Sequence, residues 1–362
     1  MSSHEFYMKL ALNNAQAMKG QTDPNPLVGS VIVNHNEIVG VGTHLKAGEP
    51  HAEIHALRMA GEKAKGGTIY VTLEPCSHHG RTGPCAEAVV EAGINKVVIA
   101  ALDPNPLVSG RGVQILKDAG IEVETGVLQE ESEKMNEVFN KFIVKKIPFV
   151  TLKSGITLDG KIASHTNNSK WITSPEARLD VHRLRNENQA ILVGVNTVIH
   201  DDPELTTRIP NGRNPIRVIM DSTLKIPLDS KVVTDRQAET WVFTSENYNE
   251  QKKLQLEAYG VKVFVSGEDR VSPVQVLKIL GDNLISSLLI EGGGTINAAF
   301  LEDKLVDKAV FYIAPKLIGG QSSPSFFGGT GIEKMADAIQ LQNMTVTQIG
   351  PDFKFTSYPK YE

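Results

Sequence analysis

His51-Ala52-Glu53, the run Thr68-Ile69-Tyr70-Val71-Thr72-Leu73 and the segment Glu74-Pro75-Cys76-Ser77-His78-His79-Gly80-Arg81-Thr82-Gly83-Pro84-Cys85 are the part of this chain from which the rest can be read. Residues 51–64 read as a helix that begins at His51, with Pro50 suiting a position beside a helix start. The β-branched run at 68–73 reads as a short buried strand. Residues 85–92 read as a second helix, closed by Gly93. Helix, strand, loop and helix in that order indicate an α/β unit. One His and two Cys supply soft or borderline ligands, a set that suits zinc and leaves a fourth position open. His51 and Cys85 at helix starts can converge with Cys76 if the two helices lie side by side, and helix N-termini favour thiolates. Glu53 is close enough to serve a water in the open position without being a ligand itself.

Cysteine usage supports that reading. The chain has only 2 cysteines, and both lie in this segment. A disulfide is disfavoured in a reducing cytoplasm, and two buried thiols would have no need to follow His-x-Glu. A closed site with His78 or His79 as fourth ligand is the structural alternative, but it leaves Glu53 without a role.

Outward from this centre, residues 5–18 read as an amphipathic helix with Phe6, Leu10 and Ala17 on its apolar face, ended by Thr22-Asp23-Pro24-Asn25-Pro26. Residues 27–34 and 37–43 read as a hairpin turned at His35-Asn36. After Gly93 come a strand at 96–101, a helix at 111–119, a strand at 121–124 and a charged helical stretch at 129–146. The boundary is expected at 145–148. A second α/β pattern follows. Its strands are expected at 149–153, 190–193, 216–220, 240–244, 261–265, 288–290 and 306–313. A helix is expected at 175–188 with Ser174 as N-cap. The expected domains are 1–147 and 148–362, the first a three-layer α/β/α arrangement and the second also α/β.

The 362 residues carry a formal net charge of −5, and 41% are hydrophobic. This balance gives no electrostatic reason to expect nucleic acid or an anionic membrane surface as partner. The start Met1-Ser2-Ser3-His4-Glu5 lacks the features of a secretory signal, and no apolar run approaches a membrane span. A cytoplasmic enzyme acting on a small molecule is expected. A homo-oligomer is expected on base rates alone.

His-x-Glu followed by Pro-Cys is the first half of the zinc nucleobase-deaminase pattern, but that pattern places two residues between its cysteines. Here 8 residues separate Cys76 from Cys85. Zinc brings the pKa of a bound water from near 16 toward ~7, on the order of 12 kcal/mol. Glu53 would take that proton and pass it to a ring nitrogen and then to a departing amine.

The segment 75–85 resembles the cysteine segment of the bifunctional riboflavin-biosynthesis deaminase/reductase family, in which the longer spacing is the rule. Asn25-Pro26-Leu27-Val28-Gly29, His44 and the run 103–112 are similar to further family segments. Gly83 stands where the family form has Pro. The resemblance implies a cytidine-deaminase-like first domain with one zinc per chain, held by His51, Cys76 and Cys85, with Glu53 catalytic. It implies as substrate 2,5-diamino-6-ribosylamino-4(3H)-pyrimidinone 5′-phosphate, whose 2-amino group is replaced by oxygen. Asn25, His44, Arg81 and Asn105 are the implied substrate residues. Arg81 has a physical reason, since guanidinium pairs well with phosphate, and Asn25 and Asn105 can equally be turn formers beside proline.

The second half lacks Gly-x-Gly-x-x-Gly after its first strand. Instead a strand runs into Glu291-Gly292-Gly293-Gly294-Thr295 and a helix. Such a turn can bring backbone N–H groups to a pyrophosphate, or it can be only a tight turn. Residues 149–153, 158–161, 171–173, 193–197 and 201–203 resemble the family's reductase half, which has a dihydrofolate-reductase-like fold and reduces the ribosyl group to ribityl with NADPH. The resemblance implies cofactor contacts at Gly155, Trp171, Thr197, Asp201, Ser222, Gly293, Gly294, Thr295, Ile296, Asn297, Ala298 and Ala299. It implies substrate contacts at Ser169, Arg185, Leu205, Arg208 and Glu291, with Arg185 and Arg208 on the 5′-phosphate. Lys153 is the implied catalytic residue. Asp221 would disfavour the 2′-phosphate of NADP if it pointed at the ribose, while Ser222 could accept it. A different zinc deaminase fused to a cofactor-binding domain, and a zinc-stabilised binding protein without turnover, are the competing readings.

Overall fold

The computed structural model describes residues 2–77, 83–105 and 109–361. The chain forms two compact units, Met1–Lys146 and Ile147–Glu362.

In the first unit β1 (Gly29–Asn34), β2 (Glu37–Thr43), β3 (Thr68–Leu73), β4 (Lys96–Ala101) and β5 (Glu122–Thr125) form one sheet in the order β2-β1-β3-β4-β5. β1 is antiparallel to both β2 and β3, whereas β3, β4 and β5 are parallel. The hairpin turns at His35 and Asn36, both at positive φ (48° and 63°), as a two-residue turn between twisted strands requires. Successive strand side chains point to opposite faces. Val31, Val33, Tyr70 and Val98 therefore meet Met8 and Leu12 of α1 (Ser3–Gln16) on one side. Ile32, Val71, Val97 and Ile99 meet α2 (Ala52–Ala60), α3 (Cys85–Glu91) and α4 (Arg111–Asp118) on the other. The result is three layers.

Helix α2 lies flush on β2. A Cβ on Gly42 would sit 1.9 Å from the Ala52 carbonyl oxygen, and one on Gly40 would sit 2.3 Å from that of Ala56. Glycine on the strand and alanine on the helix permit this approach. The pairings Gly29↔Thr43, Ser30↔Val71 and Leu73↔Ala101 put the start of α2 and the exits of β3 and β4 at one end of the sheet.

The helix expected at 129–146 is two helices, α5 (Gln129–Met135) and α6 (Glu137–Lys145). They break at Asn136, whose backbone leaves the helical region (φ −100°, ψ 20°).

The second unit has a nine-stranded sheet in the order β10-β9-β8-β7-β11-β6-β12-β14-β13. The strands are β6 (Phe149–Thr157), β7 (Ala190–Gly194), β8 (Ile216–Met220), β9 (Thr240–Thr244), β10 (Lys262–Val265), β11 (Ser287–Ile290), β12 (Lys308–Ala314), β13 (Gln340–Ile349) and β14 (Asp352–Lys360). From β10 to β12 neighbours are parallel, and β14 and β13 add an antiparallel hairpin. This hairpin was outside the sequence expectation. Strand β13 is exposed along almost its whole length, so it carries no alternating burial pattern. Helix α7 (Pro175–Glu187) starts where expected, with the Ser174 side chain accepting from the Ala177 N–H at 3.2 Å.

Strand β11 is inserted between β6 and β7, so the chain order reverses there. The carboxyl ends of parallel strands at such a reversal open a crevice suited to ligands. Among the described residues no helix is long and apolar enough to cross a membrane.

Candidate active sites

His51 is the N-cap residue of α2, Cys85 is the first residue of α3, and Cys76 lies in the loop that leaves β3. Their ligand atoms all lie within 4.8 Å of one another. His51 Nδ1 is 3.5 Å from Cys76 Sγ and 3.3 Å from Cys85 Sγ. Tetrahedral zinc with ordinary Zn–S and Zn–N bonds needs nitrogen–sulfur separations of about 3.6 Å, so the donor set fits that ion. The Cys85 backbone N–H donates to Cys76 Sγ at 3.3 Å, the support a thiolate at a helix start requires. The hydrogen bond from Cys85 lowers the pKa of Cys76, and that same interaction together with burial raises that of Cys85.

Glu53 sits on the first turn of α2 and is only 3% exposed. Burial raises its carboxyl to about 7. Its Oε2 has no hydrogen-bond partner among the described residues. A buried carboxyl held near neutrality beside a three-donor metal cluster is poised to take up and release a proton.

These groups open on a cavity of about 300 Å³ that Asn25, His44, His51, Glu53, Cys76 and Asn105 all line. The Asn25 side-chain amide is 3.1 Å from His44 Nε2, and His44 Nδ1 is 3.3 Å from the Pro50 carbonyl oxygen. Burial lowers the His44 pKa, so a neutral ring donates through Nδ1 and accepts through Nε2. Arg81, like His78 and His79, lies outside the described residues. Glu74 accepts from four backbone N–H groups, those of Asp103, Gly110, Gly112 and Val113, at 2.9–3.2 Å. It thereby ties the loop that carries Asn105 to the loop that carries Cys76. Phe139 and Ile143 of α6 also line the cavity. Sequence reasoning took their helix only as the end of the domain.

In the second unit a cavity of about 300 Å³ gathers Lys153, Gly155, Ser169, Trp171, Arg185, Thr197, Asp201, Arg208, Glu291 and Gly293. Its centre is a buried ion cluster. Glu291 accepts from Arg185 Nε at 2.7 Å and Nη2 at 3.0 Å, and from Lys153 Nζ at 3.3 Å. Burial alone would raise the Glu291 carboxyl, but Arg185 and Lys153 outweigh it and hold it well below the usual range. Arg185 Nη1 donates to the Thr206 carbonyl at 2.9 Å, so much of this guanidinium is already committed within the protein. Arg208 is paired with Glu204 at 2.9 Å in a more exposed setting.

Arg178 and His182, which sequence reasoning missed, share the cavity-facing side of α7 with Arg185. Their spacing of four and three residues is the available signal. The Arg178 guanidinium lies 4.3 Å from the Trp171 ring centroid. Burial, then the charges of Arg185 and Arg208, lower the His182 pKa to about 4.

Ser222, Leu205 and residues 294–299 are not among the residues lining this cavity. The Ser222 hydroxyl accepts from the Val271 N–H at 3.1 Å. Leu205 is buried at positive φ (51°). Asp221 turns inward and accepts from the Ile226 N–H at 2.8 Å, so its carboxylate serves the loop that follows β8. Gly293 is the N-cap of the helix Gly294–Glu302, Thr295 is exposed, and Ile296, Asn297, Ala298 and Ala299 continue the helix, with Asn297 and Ala298 buried. A Cβ on Gly294 would lie 2.6 Å from the Ser325 carbonyl oxygen. The open helix start at Gly293 and the adjoining cationic cavity suit a ligand carrying phosphates, as NADPH does.

Residues 148–355 match the family model described as RibD C-terminal domain, and residues 1–101 match that of the cytidine and deoxycytidylate deaminase zinc-binding region. The chain is 49% identical over 357 residues to riboflavin biosynthesis protein RibD of Bacillus amyloliquefaciens, covering 98% of this chain and 96% of that protein. The solved structure of Acinetobacter baumannii RibD is 40% identical with a TM-score of 0.89, covering 99% of each chain. A diaminohydroxyphosphoribosylaminopyrimidine deaminase/5-amino-6-(5-phosphoribosylamino)uracil reductase from Thermotoga maritima is 37% identical with a TM-score of 0.87, again over 99% of each chain.

Proposed function

Because the chain belongs to the RibD family of bifunctional riboflavin-biosynthesis enzymes, we propose that residues 1–147 deaminate the family's diaminopyrimidinone ribosyl phosphate and residues 148–362 reduce the ribosyl group of the product. The protein is a zinc-dependent deaminase and an NADPH-dependent reductase. Its fold is a cytidine-deaminase-like domain followed by a dihydrofolate-reductase-like domain. The observation that carries the reading is the convergence of His51, Cys76 and Cys85 beside the buried Glu53 in one cavity.

In the first unit His51 Nδ1 and the two thiolates would hold zinc, which when bound would make a water acidic enough to act as nucleophile at neutral pH. Glu53 takes the proton from the attacking water at its free Oε2. It would deliver that proton to the ring nitrogen, and then pass the proton of the added hydroxyl to the departing amine as the carbonyl forms. Asn25, His44 and Asn105 orient the polar edge of the pyrimidine, and Arg81 pairs with the phosphate. Water adds at the amine-bearing carbon, the carbon–nitrogen bond breaks, and ammonia leaves.

In the second unit NADPH, when bound, would supply a hydride for C1′ of the opened sugar. Gly155, Trp171, Thr197, Asp201, Ser222 and residues 293–299 bind the cofactor. Ser169, Leu205, Arg208 and the Arg185–Glu291 pair form the substrate side, with Arg208 and Arg185 drawing in the 5′-phosphate. Lys153, oriented by Glu291, donates to the sugar oxygen.

The enzyme is cytoplasmic, takes a small-molecule substrate rather than nucleic acid, and works as a homo-oligomer. Supporting self-association, the edge strand β13 exposes Leu341, Met344 and Val346, and an unpaired edge is a template for pairing.

The test is turnover of the diaminopyrimidinone ribosyl phosphate by protein of known zinc content, following ammonia with and without NADPH. Ammonia release without NADPH, and NADPH oxidation once it is added, are expected. Zinc-loaded protein that releases no ammonia would overturn the reading.

A further inference from the structure

The deaminase cavity has a mixed polar and apolar lining. Polar groups (Asn25, His44, Glu53 and Asn105) line part of it, and Phe139 and Ile143 of α6 bring apolar surface from outside the metal-binding stretch. The match to the deaminase zinc-binding model ends at residue 101, so this wall lies outside the matched region. The two residues are one helical turn apart, which puts them on one face.

The helical arm is fixed to the sheet at two buried points. Ser132, fully buried, donates its hydroxyl to the Thr72 carbonyl at 2.6 Å. Asn136, 3% exposed, accepts from the Leu27 N–H at 2.8 Å and donates to the Leu27 carbonyl at 3.0 Å. Its amide does for Leu27 what a neighbouring strand's backbone would do. Leu27 is two residues from Asn25, so one helix start fixes both the apolar wall and the backbone next to a polar lining group.

A flat heteroaromatic ring with a polar edge needs this kind of slot. Its edge is read by hydrogen bonds, and its faces are covered by apolar or aromatic side chains. We infer that α6 is the specificity wall of the deaminase site: Phe139 and Ile143 cover a face of the pyrimidine, and Asn136 is the positioning residue that seats them. The inference rests on the deaminase reading above and adds a substrate-recognition element to it.

The test uses the full-length, zinc-loaded enzyme and follows both reactions. Phe139→Ala and Ile143→Ala are each expected to raise the KM of deamination about tenfold, the size of a lost aromatic or apolar contact. Their kcat, zinc content and reductase rate on the deaminated product should stay near wild type. Val144→Ala, on the exposed side of the same helix, should change nothing. Phe139→Leu guards against a folding failure of the alanine variant and should still raise KM. Asn136→Ala should raise KM as well, and Asn136→Asp, which keeps an acceptor for the Leu27 N–H, should recover part of it. An unchanged KM in the Phe139 and Ile143 variants would overturn the inference. So would a joint loss of kcat, zinc and reductase rate, which would make α6 a structural buttress only. Wild-type enzyme without deaminase activity would instead sink the underlying reading.

Discussion

The two sites of this chain are electrostatic opposites. The first collects electron-rich groups, two thiols, an imidazole nitrogen and a buried carboxyl, around a point that calls for a cation. The second collects Lys153, Arg178, Arg185 and Arg208 around a single buried carboxylate, Glu291. Both lie at the exits of parallel strands. The difference therefore comes from the side chains and not from the sheet. A site that must make hydroxide needs donors for a metal, and a site that must align a phosphorylated sugar with a phosphate-bearing cofactor needs positive charge.

If the sites are chemically separate, the largest effect belongs to Glu53→Gln. The amide keeps the shape but cannot carry the proton, so ammonia release should fall by about 10²–10⁴-fold. Zinc content and the reductase rate on the deaminated product should be unchanged. Loss of both activities in a folded, zinc-loaded variant would break the contrast.

Next in size is Glu291→Gln, which acts through stability as well as chemistry. Arg185 is mostly buried, with its side chain 12% exposed, and without its partner charge it becomes an uncompensated buried cation. Breaking such a pair costs about 3–5 kcal/mol, to be read as a lowered urea midpoint for the second unit. Reduction should be lost and deamination kept. Lys153→Ala should also abolish reduction, with less destabilisation, since Lys153 makes one longer bond to Glu291. Equal unfolding midpoints for the two variants would mean that the Arg185–Glu291 pair is not the structural centre of the site.

The contrast also explains what could be read from the chain. The metal ligands and Glu53 fall within 35 consecutive residues, so their chemistry is concentrated in one stretch. Phe139 and Ile143 reach the same cavity from a distant helix, and the many charges of 129–146 hid their role. In the second unit the strands were legible as apolar runs, but their order was not. The insertion of β11 between β6 and β7 is a long-range pairing with no local signal. The hairpin β13–β14 was missed because an exposed edge strand has no buried face to set an alternation. Arg178, His182 and Arg185 lie on one face of α7, but nothing in their spacing distinguishes a cavity-facing side from a solvated one.

The smallest expected effect concerns His182, and it measures how positive the second site is. Burial lowers its pKa first, the Arg185 and Arg208 charges lower it further, and Glu291 and the Thr206 backbone only partly oppose them. The folded value of about 4 lies below the ordinary histidine value of 6.5. Between those pH values the unfolded chain binds a proton that the folded chain refuses, so this group makes stability rise with pH across that window. Wild-type protein should therefore lose more unfolding temperature between neutral pH and pH 5 than His182→Gln does, with the two nearly equal above pH 7.5. Inorganic phosphate drawn to the arginines would offset their charge, raise the imidazole pKa and shrink the difference between the two proteins. A difference that persists unchanged in phosphate would mean that burial alone sets the His182 pKa and that the arginines do not present their charge to an anion in this cavity.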